Sequence, residues 1–208
     1  MKRLVILTVG KTHSGKTTFA KTLEQQLTNC VVIDQDNHAD FINAHYMSLR
    51  PTHGPNTLKY AVTNTIVDYA VQKTDFHLIL CNSNRDAKSR LKTLAYFREH
   101  GFESVLVHFD IPDDVLQERV SKSQRSKSIF RTAANFNEVL QRQTEESSKG
   151  IISDPVEGEA NYLFVIKDSG EVQAVIQSIV ALSMRGYEFG ELQCDMSKRC
   201  RDEQANND

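Results

Sequence analysis

The chain has 208 residues, 39% of them apolar and 25% charged, the make-up of an ordinary globular protein with room for one buried core. A formal net charge of −2 excludes a global basic field of the kind that draws nucleic acid, although a local basic patch remains open. Four cysteines with no CxxC pair and no zinc-type spacing exclude a structural zinc site and point to free thiols in a reducing compartment.

The opening MKRLVILTVG carries an apolar run too short for a signal peptide, with no cleavage site behind it. No other stretch reaches the roughly 18–20 apolar residues of a membrane helix. A cytoplasmic protein without a membrane partner is expected. Leu4–Val9 is a nearly continuous apolar run rich in β-branched residues, the pattern of a strand covered on both faces. A Gly/Ser/Lys/Thr turn follows, then a helix over Lys16–Leu27 with Phe19, Ala20, Leu23 and Leu27 on one side. Val31–Ile33 predicts a second buried strand, and residues 35–56 look irregular. Helical spacing resumes over Thr57–Val71 through Leu58, Val62, Ile66 and Tyr69.

Phe76–Cys81 predicts a third strand, and a Lys/Arg-rich helix spans Asp86–His100, with Gly101 suited to end it. Ser104–Phe109 predicts a fourth strand, and a helix with Pro112 in its first turn runs to Lys122. Residues 123–132 are polar and basic. Further helices are expected over Asn135–Ser147 and Glu171–Met184, on either side of a fifth strand, Tyr162–Ile166. The alternation predicts an α/β fold with a five-stranded, mainly parallel sheet and helices on both faces. One domain over residues 1–185 is expected, with a lid near 123–132 and a polar tail over 186–208 that holds little packed structure.

Ligands of such sheets bind beyond the carboxyl ends of the strands, so the residues after each strand matter most. After the first come Gly10, Lys11, Thr12, His13, Ser14, Gly15, Lys16 and Thr17, a full match to G-x-x-x-x-G-K-[ST] between a strand and a helix. This P-loop (Walker A) predicts the P-loop NTPase fold. The glycines let the chain turn so that backbone N–H groups face phosphate oxygens, and the helix start adds partial positive charge. Lys16 is expected on the β- and γ-phosphates and Thr17 on Mg²⁺, with Thr18 completing the ATP-binding set. His13 is expected to point to solvent.

An N-K-x-D segment, usual in guanine-specific GTPases, is absent. The third strand ends LILCNSN, with Asn82 where motor and transporter ATPases carry an acid. These facts favour a small kinase over a GTPase or motor. The second strand runs into Asp34-Gln35-Asp36-Asn37. Transfer to an alcohol needs a carboxylate to orient the hydroxyl and accept its proton, and Asp36 is the candidate. Asp34 is expected to support the metal's water shell or to cap the next helix.

Three segments are similar to the 5′-hydroxyl polynucleotide kinase and zeta-toxin-like family of ATP-binding, AAA-type P-loop kinases: GKTHSGKT, DQDNHADFI, and the run from LILCNSNRD to VSKSQRS with Phe109-Asp110-Ile111-Pro112 and Glu118-Arg119 inside it. The resemblance covers roughly residues 3–145. It implies ATP and Mg²⁺, Asp36 as the group that activates the acceptor hydroxyl, and Arg125 as the lid arginine that clamps the phosphates. Two positions depart from the family pattern. Ala39 replaces the arginine that holds the substrate phosphate, and Asn82 replaces the acid of D-T-N. The Asp-x-Asp-Asn run also resembles adenylylsulfate kinases, whose acceptor is a small nucleotide.

Asn82 and Arg85 join Asp34 and Asp36 as acceptor-side candidates, and Arg131 joins Arg125 on the ATP side. The remaining cations of the helix that begins near Asp86 are read as a solvated face. Lys167-Asp168-Ser169-Gly170 is either an adenine-side turn or a plain turn with a helix cap. The expected activity is ATP-dependent phosphoryl transfer to a hydroxyl, on a nucleic-acid end or on a small molecule. A non-catalytic ATP-binding regulator is the alternative. Oligomeric state is not legible.

Overall fold

The computed structural model describes residues 2–124 and 135–184. Five strands, β1 (Leu4–Gly10), β2 (Cys30–Ile33), β3 (His77–Leu80), β4 (Glu103–Phe109) and β5 (Tyr162–Ile166), form one sheet in the order β2-β3-β1-β4-β5. Every pairing is parallel, with Leu7 opposite Leu80 and Gly10 opposite Phe109. All five carboxyl ends therefore open on one edge, with β1 central between β3 and β4.

The burial pattern explains why these segments are strands. All seven residues of β1 are buried. Side chains alternate across a strand, so Leu4 and Ile6 enter one core while Val5, Leu7 and Val9 enter the other. The first core is closed by Phe19, Ala20 and Leu23 of α1 (Lys16–Gln26), by Leu116 of α5 (Asp113–Ser121), by Leu140 of α6 (Phe136–Ser148), and by Ile176 and Ile179 of α7 (residues 172–184). The second is closed by Ala70 and Val71 of α3 (Thr57–Lys73) and by Leu94 and Phe97 of α4 (Ala87–Glu99). Each such buried leucine, isoleucine, valine or phenylalanine contributes about 1.5–3 kcal/mol.

Residues 35–56, expected to be irregular, hold α2 (Gln35–His45) and a 3₁₀ turn, Met47–Leu49. Asp34 starts α2 by accepting the Asp36 N–H at 2.9 Å, an N-cap that satisfies an otherwise orphaned donor. Only Ala39 and Ile42 of α2 are buried, so the apolar stripe is too thin to reveal the helix by periodicity. The basic helix is also not simply a solvated face. Arg90 is only 1% exposed and grips Glu159 through Nε and Nη2 at 2.7 and 3.0 Å. The thiols of Cys30 and Cys81 are free. Cys194, Cys200 and the predicted tail lie outside the described residues.

Three histidines tie stability to pH. The buried His77 accepts the Leu4 N–H on Nδ1 at 2.8 Å, which fixes a neutral ring. Burial holds the pKa values of His38, His77 and His108 below the ordinary 6.5, Arg3 adding to the effect at His77. Asp154, 3.4 Å from His108, pulls the other way but is outweighed by burial. A group whose folded pKa is depressed stabilises fully above its unfolded value and loses that contribution as pH falls below it. The urea midpoint should therefore drop between about pH 7.5 and about pH 5.5. A midpoint that is flat or rises over this window contradicts the assignment.

Candidate functional site

The loop after β1 owes its shape to backbone that few side chains allow. Gly10 sits at φ 152°, Gly15 at φ 102° and His13 at φ 59°. A Cβ on Gly10 would stand 3.0 Å from Phe109 Cβ, Phe109 O and Ser14 Oγ, so β4 presses on the loop where glycine alone fits. The Gly10 N–H donates to Ser83 O at 3.0 Å, tying the loop to the turn after β3. Gly15 is the left-handed cap from which α1 starts. Successive amides in such alternating backbone form a concave anion nest at a helix N-terminus.

Side chains brace the nest. Lys11 pairs with Asp113 at the start of α5. The Thr12 N–H donates to Gln143 Oε1 of α6 at 2.7 Å. Lys16 reaches back over the loop, its ammonium donating to Lys11 O and, at 3.0 Å, to Ser14 Oγ. His13, expected in solvent, instead packs edge-on against Phe136 with ring centroids 4.7 Å apart, and its Nε2 lies 2.7 Å from Ser123 Oγ. Contacts to Ser123 and Phe136, far away in sequence, leave the ring half-buried, and nothing near residue 13 foretold it.

A cavity of about 940 Å³ opens over this loop, near the top of the size range for small-molecule sites. Residues Thr12 to Phe19 form its floor. Gln35 and Asp36 from the start of α2 line it as well, with Lys59 and Tyr60 of α3, and with Cys81, Asn82 and Ser83 after β3. Arg119, Phe136, Arg142 and Gln143 come from α5 and α6, and Asp168 and Ser169 from the turn after β5.

The structure thus brings Thr12, His13, Ser14, Gly15, Lys16, Thr17, Thr18, Asp36 and Asn82 to one cavity. Gly10 and Lys11 shape the loop beneath it without lining it. Asp34 is buried as the α2 cap. Asn82 Oδ1 accepts the Gln35 N–H at 3.2 Å, so this side chain, where an acid was expected in the family pattern, joins β3 to the start of α2. Arg85, an acceptor-side candidate, is elsewhere. It is buried, paired to Glu146 at 3.1 Å and bonded to Gln143 O and Ser147 Oγ, and so holds α6 in place. Arg125 and Arg131 lie outside the described residues. Lys59, Tyr60, Arg142 and Gln143 were missed because they stand on helix faces far in sequence from any motif.

Thr17 lines the cavity, and its Oγ1 accepts from Cys81 Sγ at 3.7 Å. A single hydroxyl beside the phosphate nest fits Mg²⁺, which takes few protein ligands and completes its shell with water and phosphate oxygens. Burial and Asp34 push the Cys81 thiol up to about 11, so it is present as thiol rather than thiolate at neutral pH.

Parallel sheet, central β1, nest and cavity together define a P-loop NTPase fold. The profile of the AAA domain family matches residues 5–145, and the chain belongs to that family. Shikimate kinase from Bacteroides thetaiotaomicron superposes with a TM-score of 0.53 at 16% identity, over 86% of this chain and 97% of its own. APS kinase from Mycobacterium tuberculosis, solved with AMPPNP and APS, gives 0.52 at 15% identity, over 87% and 97%. Kti12 from Chaetomium thermophilum, in complex with ADP-AlF3, gives 0.56 at 15% identity, over 84% and 96%. At such identities the likeness is one of fold. No curated protein matches the sequence.

Proposed function

We propose that the protein is an ATP-dependent kinase that transfers the γ-phosphoryl group to the hydroxyl of a small molecule. The observation that carries this reading is that the phosphate nest and Asp36 line one cavity. ATP lies with its triphosphate in the 10–17 loop and its base toward Asp168 and Ser169. Lys16 turns from the loop carbonyl to the β- and γ-phosphates, and Arg119 and Arg142 add positive charge from the α5–α6 side. Thr17 would hold Mg²⁺, which when bound neutralises phosphate charge.

Asp36 orients the acceptor hydroxyl and takes its proton as the oxygen bonds to the γ-phosphorus and the bond to the β–γ bridging oxygen breaks, leaving ADP. No covalent enzyme intermediate is required. Sequence similarity to polynucleotide kinases offers a 5′-hydroxyl end as the other acceptor. A small acceptor is favoured because Ala39, at the family's substrate-phosphate arginine, is 4% exposed and faces the interior. The near-neutral chain also offers no global field for a polyanion.

Labelled ATP offered to 5′-hydroxyl oligonucleotides and to a panel of metabolite alcohols separates the readings. Label on a small alcohol supports this one, and label on oligonucleotides alone reverses the acceptor. ATP binding with no labelled product on any acceptor would leave the regulator reading in its place.

A further inference from the structure

The cavity's cations divide by wall. Among the described residues that line it, the lysines and arginines are Lys16, Lys59, Arg119 and Arg142. Three of them belong to the nest and to the α5–α6 side, where the triphosphate lies. Lys59 stands apart, on α3, beside the start of α2: Thr63 Oγ1 donates to Lys59 O at 2.9 Å and lies 2.8 Å from His38 Nδ1 of α2.

Its position is not one that folding alone favours. Lys59 lies in the first turn of α3, whose cap Asn56 accepts the Lys59 N–H at 3.1 Å. A cation there opposes the helix dipole. Among the described residues no ion pair of Lys59 offsets this. Its ammonium rests 5.2 Å from the centroid of the Tyr60 ring, itself 44% exposed and also lining the cavity, an attraction that holds the charge beside that ring. The site is close to the catalytic end of α2, because His38 of that helix feels both Asp34 and Lys59.

We propose that Lys59 is a specificity-determining residue that binds an anionic group of the acceptor, so that the substrate is a small alcohol bearing a phosphate, carboxylate or sulfate. The anion pairs with this lysine, while the hydroxyl of the same molecule reaches Asp36. This inference rests on the kinase reading above, since it assigns the second half of the same cavity.

The test fills the nest with a non-hydrolysable ATP analogue and magnesium, then measures binding of paired alcohols by calorimetry. Glycerol is compared with glycerol 3-phosphate and with glycerate, and a nucleoside with its 3′-monophosphate. At least one anionic member should bind about tenfold or more tighter than its neutral partner, the size of one charge-assisted hydrogen bond. Lys59→Met should abolish that preference and Lys59→Arg should retain it, both with unchanged affinity for the ATP analogue. The proposal is overturned if no anionic member outbinds its neutral partner, or if Lys59→Met keeps the preference. Failure of the ATP analogue itself to bind overturns the kinase reading beneath it, whereas an analogue that binds with alcohols that bind only in neutral form overturns only the role of Lys59.

Discussion

Asp36→Asn is expected to bind MgATP as the parent does and to transfer its phosphoryl group about 10²–10⁴-fold more slowly, the usual share of a positioned general base. The substitution isolates the chemistry. The backbone of residue 36 is held by the Asp34 cap, which Asn leaves in place. Loss of one negative charge in the first turn of α2 costs about 0.3–1 kcal/mol of helix stabilisation, too little to unfold the domain. Affinity by calorimetry and turnover by labelled transfer are then read on the same variant. Transfer at the parental rate would remove Asp36 from the mechanism, and loss of ATP binding along with transfer would make its role structural.

The largest effect on stability should come from Arg90→Met, at about 3–5 kcal/mol, because removing one member of a buried ion pair strands the other. The Arg90 side chain is wholly enclosed and that of Glu159 nearly so. Beyond the two bonds to Glu159, Nη1 donates to Asn84 O and Arg85 O at 3.1 Å each, and Nη2 to Ser153 O at 3.3 Å. One guanidinium therefore joins α4, the turn after β3 and the 153–159 segment. Arg90→Lys should fail to rescue, since an ammonium cannot make this planar fork. Arg90→Met with Glu159→Gln should recover part of the loss, because no buried charge is then stranded. Urea denaturation of the three variants checks this, and a change within about 0.5 kcal/mol for Arg90→Met would mean that the network carries no weight.

That network also bears on the site. The carbonyls Arg90 holds belong to the residues next to Asn82 and Ser83, which line the cavity. A loosened turn would release Gly10, whose N–H is bonded to Ser83 O. Stability and nucleotide affinity should therefore fall together in Arg90→Met.

What the sequence reveals follows the range of the forces involved. β1 and the loop after it were legible because a local signal, a β-branched run followed by the glycine-lysine-threonine pattern, carries both fold and chemistry. β5, Tyr162–Ile166, was read to the residue, because YLFVI is bounded by polar turns. α2 was missed although its cap is local, since two buried residues in eleven give almost no periodic signal. Arg85 and Arg90 were misread for a different reason. Their carboxylate partners, Glu146 and Glu159, lie 61 and 69 residues away, and no spacing rule connects them. Lys59 and Tyr60 reached the cavity through the packing of α3 beside α2, again a tertiary fact.

Calorimetric titration with ATP and magnesium tests the central claim most directly, that backbone amides after β1 hold a triphosphate. The parent should bind one equivalent with an affinity in the range of about 1 μM to 1 mM typical of enzyme substrates, and Lys16→Ala should weaken binding about tenfold or more by removing a charged donor to the phosphates. No heat of binding with any nucleoside triphosphate, or equal affinity in Lys16→Ala, would contradict the account.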